Sequence, residues 1–435
     1  METAPAQSRP PDNAGFARRW LGPTARKSVW SITDQLTVSG TRFLMTVLVA
    51  RYCGAQELGY YAIAFSVLIV LIVLQESLLI APYIVQGRQV EEAERRVFAG
   101  RILILHVMIG IGSTLIACIG TAVLFAVNSG FGVTMAAFSA ATPTMLLYAF
   151  MRRFALAQLS VASALCLDLA VSALQIAGVI ALAEADRLTA ASVFVTMGAV
   201  SALGGLTWLI LNRQLFVFRI SGAVAWALST WRFGRWVLGS QQLVALRISM
   251  VYWLLPILLS TKSAGIFAGC AVVLTAANPL LIGVANVLEP RAAEAFAQGG
   301  RRELLRVARK VTFMITLLLA VYGIGVSVFG EPVLPWLYDD EAFAGLGHLI
   351  TVLAMVLLMR ASRMGAAFGL RAMGVPRMNF LAGMVELFVN LAALIPLVML
   401  FGLVGAAYAM LLTTFIGTAL RWWAFDRLLR RRTVI

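Results

Sequence analysis

The residues of this chain that could do chemistry are charged side chains inside long apolar runs. Four arginines and three acids lie in such runs: Arg42, Arg247, Arg360, Arg363, Glu76, Asp168 and Glu386. Because an ionisable group at membrane depth costs several kcal/mol, each needs a charged partner, water or a functional role. Guanidinium groups stay charged at any pH and match phosphate oxygens bidentately, so these arginines could bind an anionic headgroup. The acids could be proton or sodium sites, but we expect them to be counter-ions of the arginines.

Polar side chains in three of the apolar runs recur at helical spacing. These stripes are Gln35, Ser39, Arg42 and Thr46; Asp168, Ser172 and Gln175; and Asn379, Gly383, Glu386 and Asn390. Residues three or four apart share one face of a helix, and lipid would not tolerate a polar face. We therefore predict a hydrated central cavity whose substrate-binding residues are Arg42, Arg247, Arg360, Arg363, Gln35, Ser39, Glu386 and Asn390. The alternative is that the charges pair with one another and that the stripes only hold the bundle together.

The composition indicates how many helices must position these side chains. The chain has 435 residues, of which 61% are hydrophobic and 13% are charged. These values exclude a soluble enzyme, a secreted disulfide scaffold and a disordered protein. Apolar runs between helix breakers predict an all-α polytopic membrane protein with about twelve transmembrane helices. These spans, numbered 1 to 12, are residues 33–50, 59–84, 101–127, 131–150, 157–183, 189–211, 237–259, 264–288, 311–330, 346–368, 379–400 and 403–424.

The basic residues are distributed unevenly between the two sides of the predicted bundle. Of the 35 lysines and arginines, 28 fall on the side of the N-terminus, three on the opposite side and four deep inside spans. The 28 include Arg101 and Arg421 at span ends and Arg152 and Arg153 just after span 4. Cytoplasmic loops carry the basic excess in membrane proteins, so both termini are predicted to be cytoplasmic. The net charge of +15 is thus a topology signal and a contact with anionic membrane lipids, and we expect no nucleic-acid partner.

The twelve predicted spans divide into two halves that look like repeats. Span 1 begins Asp34-Gln35-Leu36 and span 7 begins Gln241-Gln242-Leu243. Span 2 begins Gly59-Tyr60-Tyr61-Ala62 and span 8 begins Gly265-Ile266-Phe267-Ala268. Two six-helix lobes related by a pseudo-twofold axis are a transporter architecture. The predicted parts are a basic tail (1–32), an N-terminal lobe (33–211), an interfacial amphipathic linker (212–236), a C-terminal lobe (237–424) and a second basic tail (425–435).

Sequence motifs for metal, nucleotide or covalent chemistry are absent. The four cysteines are far apart, and the chain has no Cys-x-x-Cys pair, no Cys/His ligand spacing and no Walker A sequence. We therefore expect no metal, no cofactor and no catalytic residues.

The segment from Asp34 to Arg88 carries a family resemblance. Its Asp-Gln start, Ala50-Arg51, the turn Glu57-Leu58-Gly59-Tyr60-Tyr61-Ala62 and the exit Ala81-Pro82 are similar to the opening of polysaccharide-biosynthesis membrane proteins. These are the lipid-linked oligosaccharide flippases of the multidrug/oligosaccharidyl-lipid/polysaccharide exporter (MOP) superfamily. The six-plus-six layout extends the resemblance to about residue 425.

The resemblance implies a V-shaped bundle of two lobes that works by alternating access in the bacterial inner membrane. The implied substrate is a polyprenyl-diphosphate-linked oligosaccharide, such as an O-antigen or exopolysaccharide repeat unit, moved from the cytoplasmic to the periplasmic leaflet. The implied partners are this lipid-linked glycan and other polysaccharide-assembly membrane proteins.

Two other functions remain open. An ion-coupled multidrug antiporter would share the fold, but it needs acidic and aromatic lining to attract cations, and the lumen arginines argue against it. A membrane-embedded glycan polymerase or transferase would usually place catalytic residues on a sizeable external loop. The longest external segment predicted here, residues 331–345, is short and acidic. We therefore favour a flippase over both alternatives.

Overall fold

The fold is helical throughout the part of the chain that the structure describes. The computed structural model describes residues 23–87, 90–127, 129–158, 160–219 and 223–430, and it has no strand within them. The long helices are α1 Pro23–Gln75, α3 Glu92–Val127, α4 Ser129–Ala157, α5 Val161–Glu184, α6 Ala190–Leu211, α7 Ala223–Leu258, α8 Thr261–Thr275, α9 Asn278–Tyr338, α10 Gly347–Ser362 and α12 Pro376–Arg430. The short elements are a π-helix at Glu76–Ile80, α2 Ala81–Gln86, α11 Met364–Ala372 and 3-10 turns at Arg213–Leu215 and Glu341–Phe343.

Nine of the described helices, counted with the short elements that adjoin them, are long and apolar enough to cross a membrane. The all-α membrane architecture expected from the sequence is therefore confirmed. Three of the helices, α1, α9 and α12, each consist of two helical segments joined at a sharp break. The number of membrane crossings and the orientation of the chain stay predictions.

The breaks in these three helices lie at Gly54, Gly300 and Gly402, which all have positive φ. In α1 the Arg42 guanidinium carbon lies 5.6 Å from the centre of the Phe65 ring. An unbroken helix would separate these residues by about 35 Å, so the chain turns back at Gly54. Gly402 reverses α12 in the same way, since Glu386 pairs with Arg421 on the other side of it. These backbone conformations are essentially restricted to glycine. The positions of these glycines in the sequence therefore decide where the breaks occur.

Several predicted boundaries differ from the structure. Residues 223–236, predicted as part of a separate interfacial linker, are the first turns of the unbroken helix α7. Residues 23–32 of the first predicted tail belong to α1, and residues 425–430 of the second belong to α12. The remaining tail residues, 1–22 and 431–435, lie outside the described residues. Helices continue past the apolar runs because the flanking residues are compatible with helix and only hydrophobicity had set the predicted limits.

Two predicted spans are divided. Span 8 is split between α8 and α9, because Pro279 lies at the start of α9 and cannot continue a preceding helix. Span 10 is split between α10 and α11 at Arg363, which follows the last residue of α10. One charged residue of the predicted site thus lies at a break between two helices.

The two halves of the chain meet where the second part of α1 packs against α7 and α8. Trp253 Nε1 donates a hydrogen bond of 2.8 Å to Ser66 Oγ, and Gln242 Nε2 donates one of 3.0 Å to the Val70 carbonyl. At one end of this contact, a methyl group added to Gly59 would overlap the Thr261 carbonyl, and one added to Gly265 would overlap the Ala55 carbonyl. The paired Gly59 and Gly265 motifs found in the sequence therefore allow the two backbones to approach closely.

Candidate functional site

Most of the predicted site residues fall into two groups, one in each half of the chain. The first group surrounds a cavity between α1, α4, α5 and α6, and the second surrounds Glu386 between α7, α10 and α12. The sequence had predicted one central cavity that contains all of them. The structure instead forms two separate polar clusters, because most of the charges find partners within their own half.

The N-terminal cavity has a volume of about 160 Å³. Its polar and aromatic lining comprises Thr41, Arg42, Tyr61, Phe65, Glu76, Tyr148, Arg152, Arg153, Ser172, Gln175 and Ser201. Arg42 is exposed to this space, and its guanidinium lies over the Phe65 ring. No carboxylate of the described residues lies within ion-pair distance of Arg42. Cation–π contact with a ring leaves the guanidinium N–H groups able to bind an anion.

Beside Arg42, Arg152 bridges two buried carboxylates. Its Nε donates to Asp168 Oδ2 at 2.5 Å, and its Nη2 donates to Asp34 Oδ2 at 2.6 Å. Tyr148 donates a hydrogen bond of 2.6 Å to Asp168 Oδ1. The other Asp34 oxygen, Oδ1, is buried and has no hydrogen-bond partner. This cluster therefore holds two carboxylates and one guanidinium away from water.

Glu76 opens the π-helix at the edge of the same cavity. Its Oε1 accepts a hydrogen bond of 2.5 Å from Arg153 Nε, and both side chains are partly exposed. The preceding residue, Gln75, is fully buried and lies 3.0 Å from His106 Nδ1 through its Oε1. A π-helix is commonly found at functional sites, and here it places Glu76 at the cavity wall while Gln75 faces the core.

The C-terminal cluster contains three arginines around Glu386. Arg363 Nη1 lies 3.0 Å and Arg421 Nη1 lies 2.5 Å from Glu386 Oε1, and Arg247 Nε lies 3.6 Å from Oε2. Glu386 is only 1% exposed. Asn390 is buried beside it and donates a hydrogen bond of 3.4 Å to the Arg247 carbonyl. A single carboxylate thus connects α7, the end of α10 and both parts of α12.

Arg360, Gln35 and Ser39 have a different environment. Arg360 lies one turn before Arg363, is partly exposed, and has no carboxylate of the described residues within ion-pair distance. Gln35 Nε2 lies 3.5 Å from Asp34 Oδ2, and Ser39 is partly exposed on α1. Neither Gln35 nor Ser39 is among the residues that line the N-terminal cavity.

Three arginines that the sequence analysis had assigned to cytoplasmic loops belong to these clusters. They are Arg152, Arg153 and Arg421. Each lies close to the end of an apolar run. A count of basic residues per loop therefore assigns it to the loop and uses it to predict the orientation of the chain. One available signal was helical spacing, since Arg152 lies one turn after Tyr148 and Arg421 one turn after Gly417.

With these three residues, with Arg42 of the cavity lining and with Arg360, which adjoins Arg363, the two clusters hold seven arginines and four acids. Every one of the four acids has at least one arginine within 4 Å. Among the described residues there is no group of three or more His, Cys, Asp or Glu side chains arranged to hold a metal ion. The two clusters therefore contain more guanidinium groups than carboxylates, and every carboxylate has an arginine partner.

Comparisons with known proteins establish the fold. No protein-family model and no curated protein matches the chain. Among solved structures, it is similar to an inward-facing multidrug resistance MATE family transporter of the MOP superfamily, with a TM-score of 0.69, 14% identity, and 93% of this chain and 94% of the other covered. It is also similar to the lipid II flippase MurJ in an inward closed conformation, with a TM-score of 0.66, 14% identity, and coverage of 92% and 87%.

A third similar structure is the eukaryotic MATE transporter AtDTX14, with a TM-score of 0.61, 15% identity, and coverage of 96% of this chain and 97% of the other. The chain therefore has the fold shared by MATE transporters and MurJ, over nearly its whole length.

Proposed function

We propose that the chain is a flippase that moves a polyprenyl-diphosphate-linked oligosaccharide from the cytoplasmic to the periplasmic leaflet of a bacterial inner membrane by alternating access. One observation carries the proposal: the interior clusters contain seven arginines against four acids, and each acid is already partnered. Such an interior attracts an anionic group such as a diphosphate, and it holds few free carboxylates for a cation.

Arg42 and Arg360 are the residues best suited to the headgroup. Neither has a carboxylate within ion-pair distance among the described residues, and both are accessible. Guanidinium groups recognise phosphate through paired N–H donors, and a bound diphosphate would supply the missing negative charge. The fold shared with a lipid II flippase supports the same substrate class, since that protein also moves a lipid-linked molecule.

A second candidate function is an ion-coupled multidrug antiporter, and a specific observation favours it. Asp34 and Asp168 share Arg152, and Asp34 Oδ1 is buried without a partner. Two carboxylates served by one guanidinium form a group that could take up a proton or a metal cation. The similarity to multidrug MATE transporters supports the same alternative. The cluster could equally supply the coupling ion of a flippase.

The proposal is tested with purified protein in proteoliposomes that contain a polyprenyl diphosphate carrying a fluorescent sugar. A membrane-impermeant quencher reports how much of the probe remains in the outer leaflet. We expect Arg42→Ala and Arg360→Ala to lower the flipping rate about tenfold or more, because a charged hydrogen bond to the headgroup is lost. Arg306→Ala is the matched control, since Arg306 is exposed and pairs with Glu303 on the surface.

The same vesicles distinguish the two candidates. Flipping by the wild type that both variants lose supports the flippase. Absence of flipping, together with uptake of a cationic dye driven by a proton or sodium gradient, replaces the flippase by the antiporter. Normal flipping in both variants would overturn the assignment of the headgroup to these arginines.

A further inference from the structure

The C-terminal cluster is unusual in its ratio of charges. Four arginines, Arg247, Arg360, Arg363 and Arg421, surround or adjoin the single carboxylate of Glu386. Arg247 and Arg421 are each only 7% exposed. A buried charge without a counter-charge is costly, and one carboxylate neutralises one arginine. A further negative charge bound in the cluster would therefore be electrostatically favourable.

The hydrogen-bond donors of the cluster lead to the same conclusion. Each guanidinium carries about five N–H donors, whereas a carboxylate accepts about four hydrogen bonds in all. Glu386 Oε1 already accepts from Arg363 and Arg421, and Arg421 makes a further hydrogen bond of 2.9 Å to the Gly417 carbonyl. A tetrahedral oxyanion carries more acceptor oxygens than a carboxylate and could satisfy several guanidinium groups at once.

The carboxylate of Glu386 reaches these arginines because of a local feature of α12. A methyl group added to Gly417 would overlap Glu386 Oε1 and the rest of its carboxyl group. Glycine at position 417 therefore leaves the space that the carboxylate occupies. In this position Glu386 links α7 through Arg247, the end of α10 through Arg363, and the two parts of α12 through Arg421.

We propose that this cluster is a phosphate-binding site in which Glu386 is the internal competitor. Without ligand, the Glu386 carboxylate occupies Arg247, Arg363 and Arg421, and Arg360 stays without a carboxylate. A phosphate group that enters at Arg360 takes over donors from Arg363 and Arg247 and weakens their ion pairs with Glu386. Because those ion pairs join three helices, phosphate binding loosens α7 and the end of α10 from α12.

The identity of the lipid ligand rests on the proposed function. Exchange of the arginines between Glu386 and the phosphate headgroup is the step that couples ligand binding to helix movement. A lipid diphosphate and free phosphate share this chemistry, and binding measured with each ligand separately distinguishes them.

The test measures binding of inorganic phosphate, and separately of a short-chain polyprenyl diphosphate, to the purified full-length protein in detergent. Glu386→Gln removes the competing charge and keeps the size of the side chain. We expect it to tighten phosphate binding about tenfold or more, in line with the coupling of close charge pairs. The matched control is Asp426→Asn, on the same helix, whose carboxylate pairs with Arg430 at the surface and should not change phosphate affinity.

A second variant keeps the test decisive if Glu386→Gln folds poorly. Arg360→Gln breaks no ion pair of the described residues, and we expect it to weaken phosphate binding about tenfold. Unchanged phosphate affinity in Arg360→Gln, or unchanged or weaker affinity in a folded Glu386→Gln, overturns the inference. If the Glu386 ion pairs were only structural, Glu386→Gln would leave phosphate affinity unchanged or weaker.

The outcomes for the proposed function are distinct. If both ligands bind and Glu386→Gln tightens both, the site recognises the lipid diphosphate. If only inorganic phosphate binds, the competitor site stands and the lipid headgroup is excluded from it. If lipid is flipped normally but neither ligand responds to Glu386→Gln, the flippase stands and this inference fails.

Discussion

At the scale of residues, the main ion pairs inside the protein do not match one arginine to one carboxylate. In the N-terminal half one guanidinium serves two carboxylates, and in the C-terminal half one carboxylate serves three guanidinium groups. A simple one-to-one pairing would make these groups a structural zipper. The unequal ratios instead leave Asp34 Oδ1 without a partner on one side and Arg360 without a carboxylate on the other. Both features are suited to binding charged species.

The unequal sharing predicts very different costs for two adjacent arginines. Arg152→Met leaves the carboxylates of Asp34 and Asp168, which are 1% and 0% exposed, without their counter-charge. We expect a loss of about 3–5 kcal/mol in the free energy of unfolding, as for other buried ion pairs that lose one partner. Arg153→Met breaks a partly exposed pair with Glu76 and should cost about 1 kcal/mol or less.

The measurement is denaturant or thermal unfolding of both variants in the same detergent. Equal losses in the two variants would show that the Arg152 bridge is not desolvated as the structure indicates. A second substitution, Asp168→Asn in the Arg152→Met background, should recover part of the lost stability because it removes one of the uncompensated charges.

At the scale of elements, glycines decide where helices turn and where they touch. Gly402 in α12 and Gly54 in α1 have backbone conformations that other residues rarely adopt, and the chain reverses at both. Gly59 and Gly265 have ordinary helical φ, but their missing side chains allow α1 and α8 to approach to backbone contact. The contact between the two halves is therefore built on two small residues, Gly59 and Gly265.

This contact predicts that Gly265→Ala is destabilising although alanine is a better helix former than glycine. The new methyl group would overlap the Ala55 carbonyl and the Gly59 amide nitrogen, which are backbone atoms that cannot rotate away. We expect a loss of about 1–3 kcal/mol and a lower transport rate, because the two halves are pushed apart. The control is Gly283→Ala in α9, where no heavy atom lies within 4 Å of the new methyl group.

Unfolding and transport assays on the two variants provide the check. Gly283→Ala should be neutral or slightly stabilising, since it gains helix propensity without a clash. If Gly265→Ala behaves like Gly283→Ala, the close approach of the two halves at this point is wrong.

At the scale of the whole molecule, the chain is a multi-pass membrane protein with two polar clusters in separate halves and an interface along α1, α7 and α8. The proposed alternating access requires the two halves to move relative to each other at this interface. The orientation of the chain in the membrane stays a prediction from the distribution of arginines in the sequence, which predicts both termini on the cytoplasmic side.

The orientation can be measured with single cysteines in a background in which Cys53, Cys118, Cys166 and Cys270 are replaced by alanine or serine. Arg187 and Arg302 are exposed residues on opposite predicted sides. We expect a membrane-impermeant maleimide to label Arg187→Cys in intact cells and to label Arg302→Cys only after permeabilisation. The reverse pattern would contradict the predicted orientation and with it the cytoplasmic origin of the substrate.

The sequence by itself determined the helical class, a boundary between spans 11 and 12 at residues 401–402, and the requirement that every interior charge has a partner or a role. These features follow from local properties, namely apolar run length, glycine placement and the cost of desolvating a charge. The sequence also gave the faces of single helices, so Arg42, Asp168 and Glu386 were recognised as interior residues.

Only the tertiary structure decided which charges meet. Arg152 reaches Asp34, 118 positions earlier in the chain, and Arg421 joins Arg247 and Arg363 on one carboxylate. Helical periodicity tells which residues share a face, but the rotation and axial offset of neighbouring helices depend on how their surfaces pack. For that reason three arginines at the ends of apolar runs were counted as loop charges from the sequence. The structure places the interior charges in two clusters, one with three acids and three arginines and one with a single acid and four arginines.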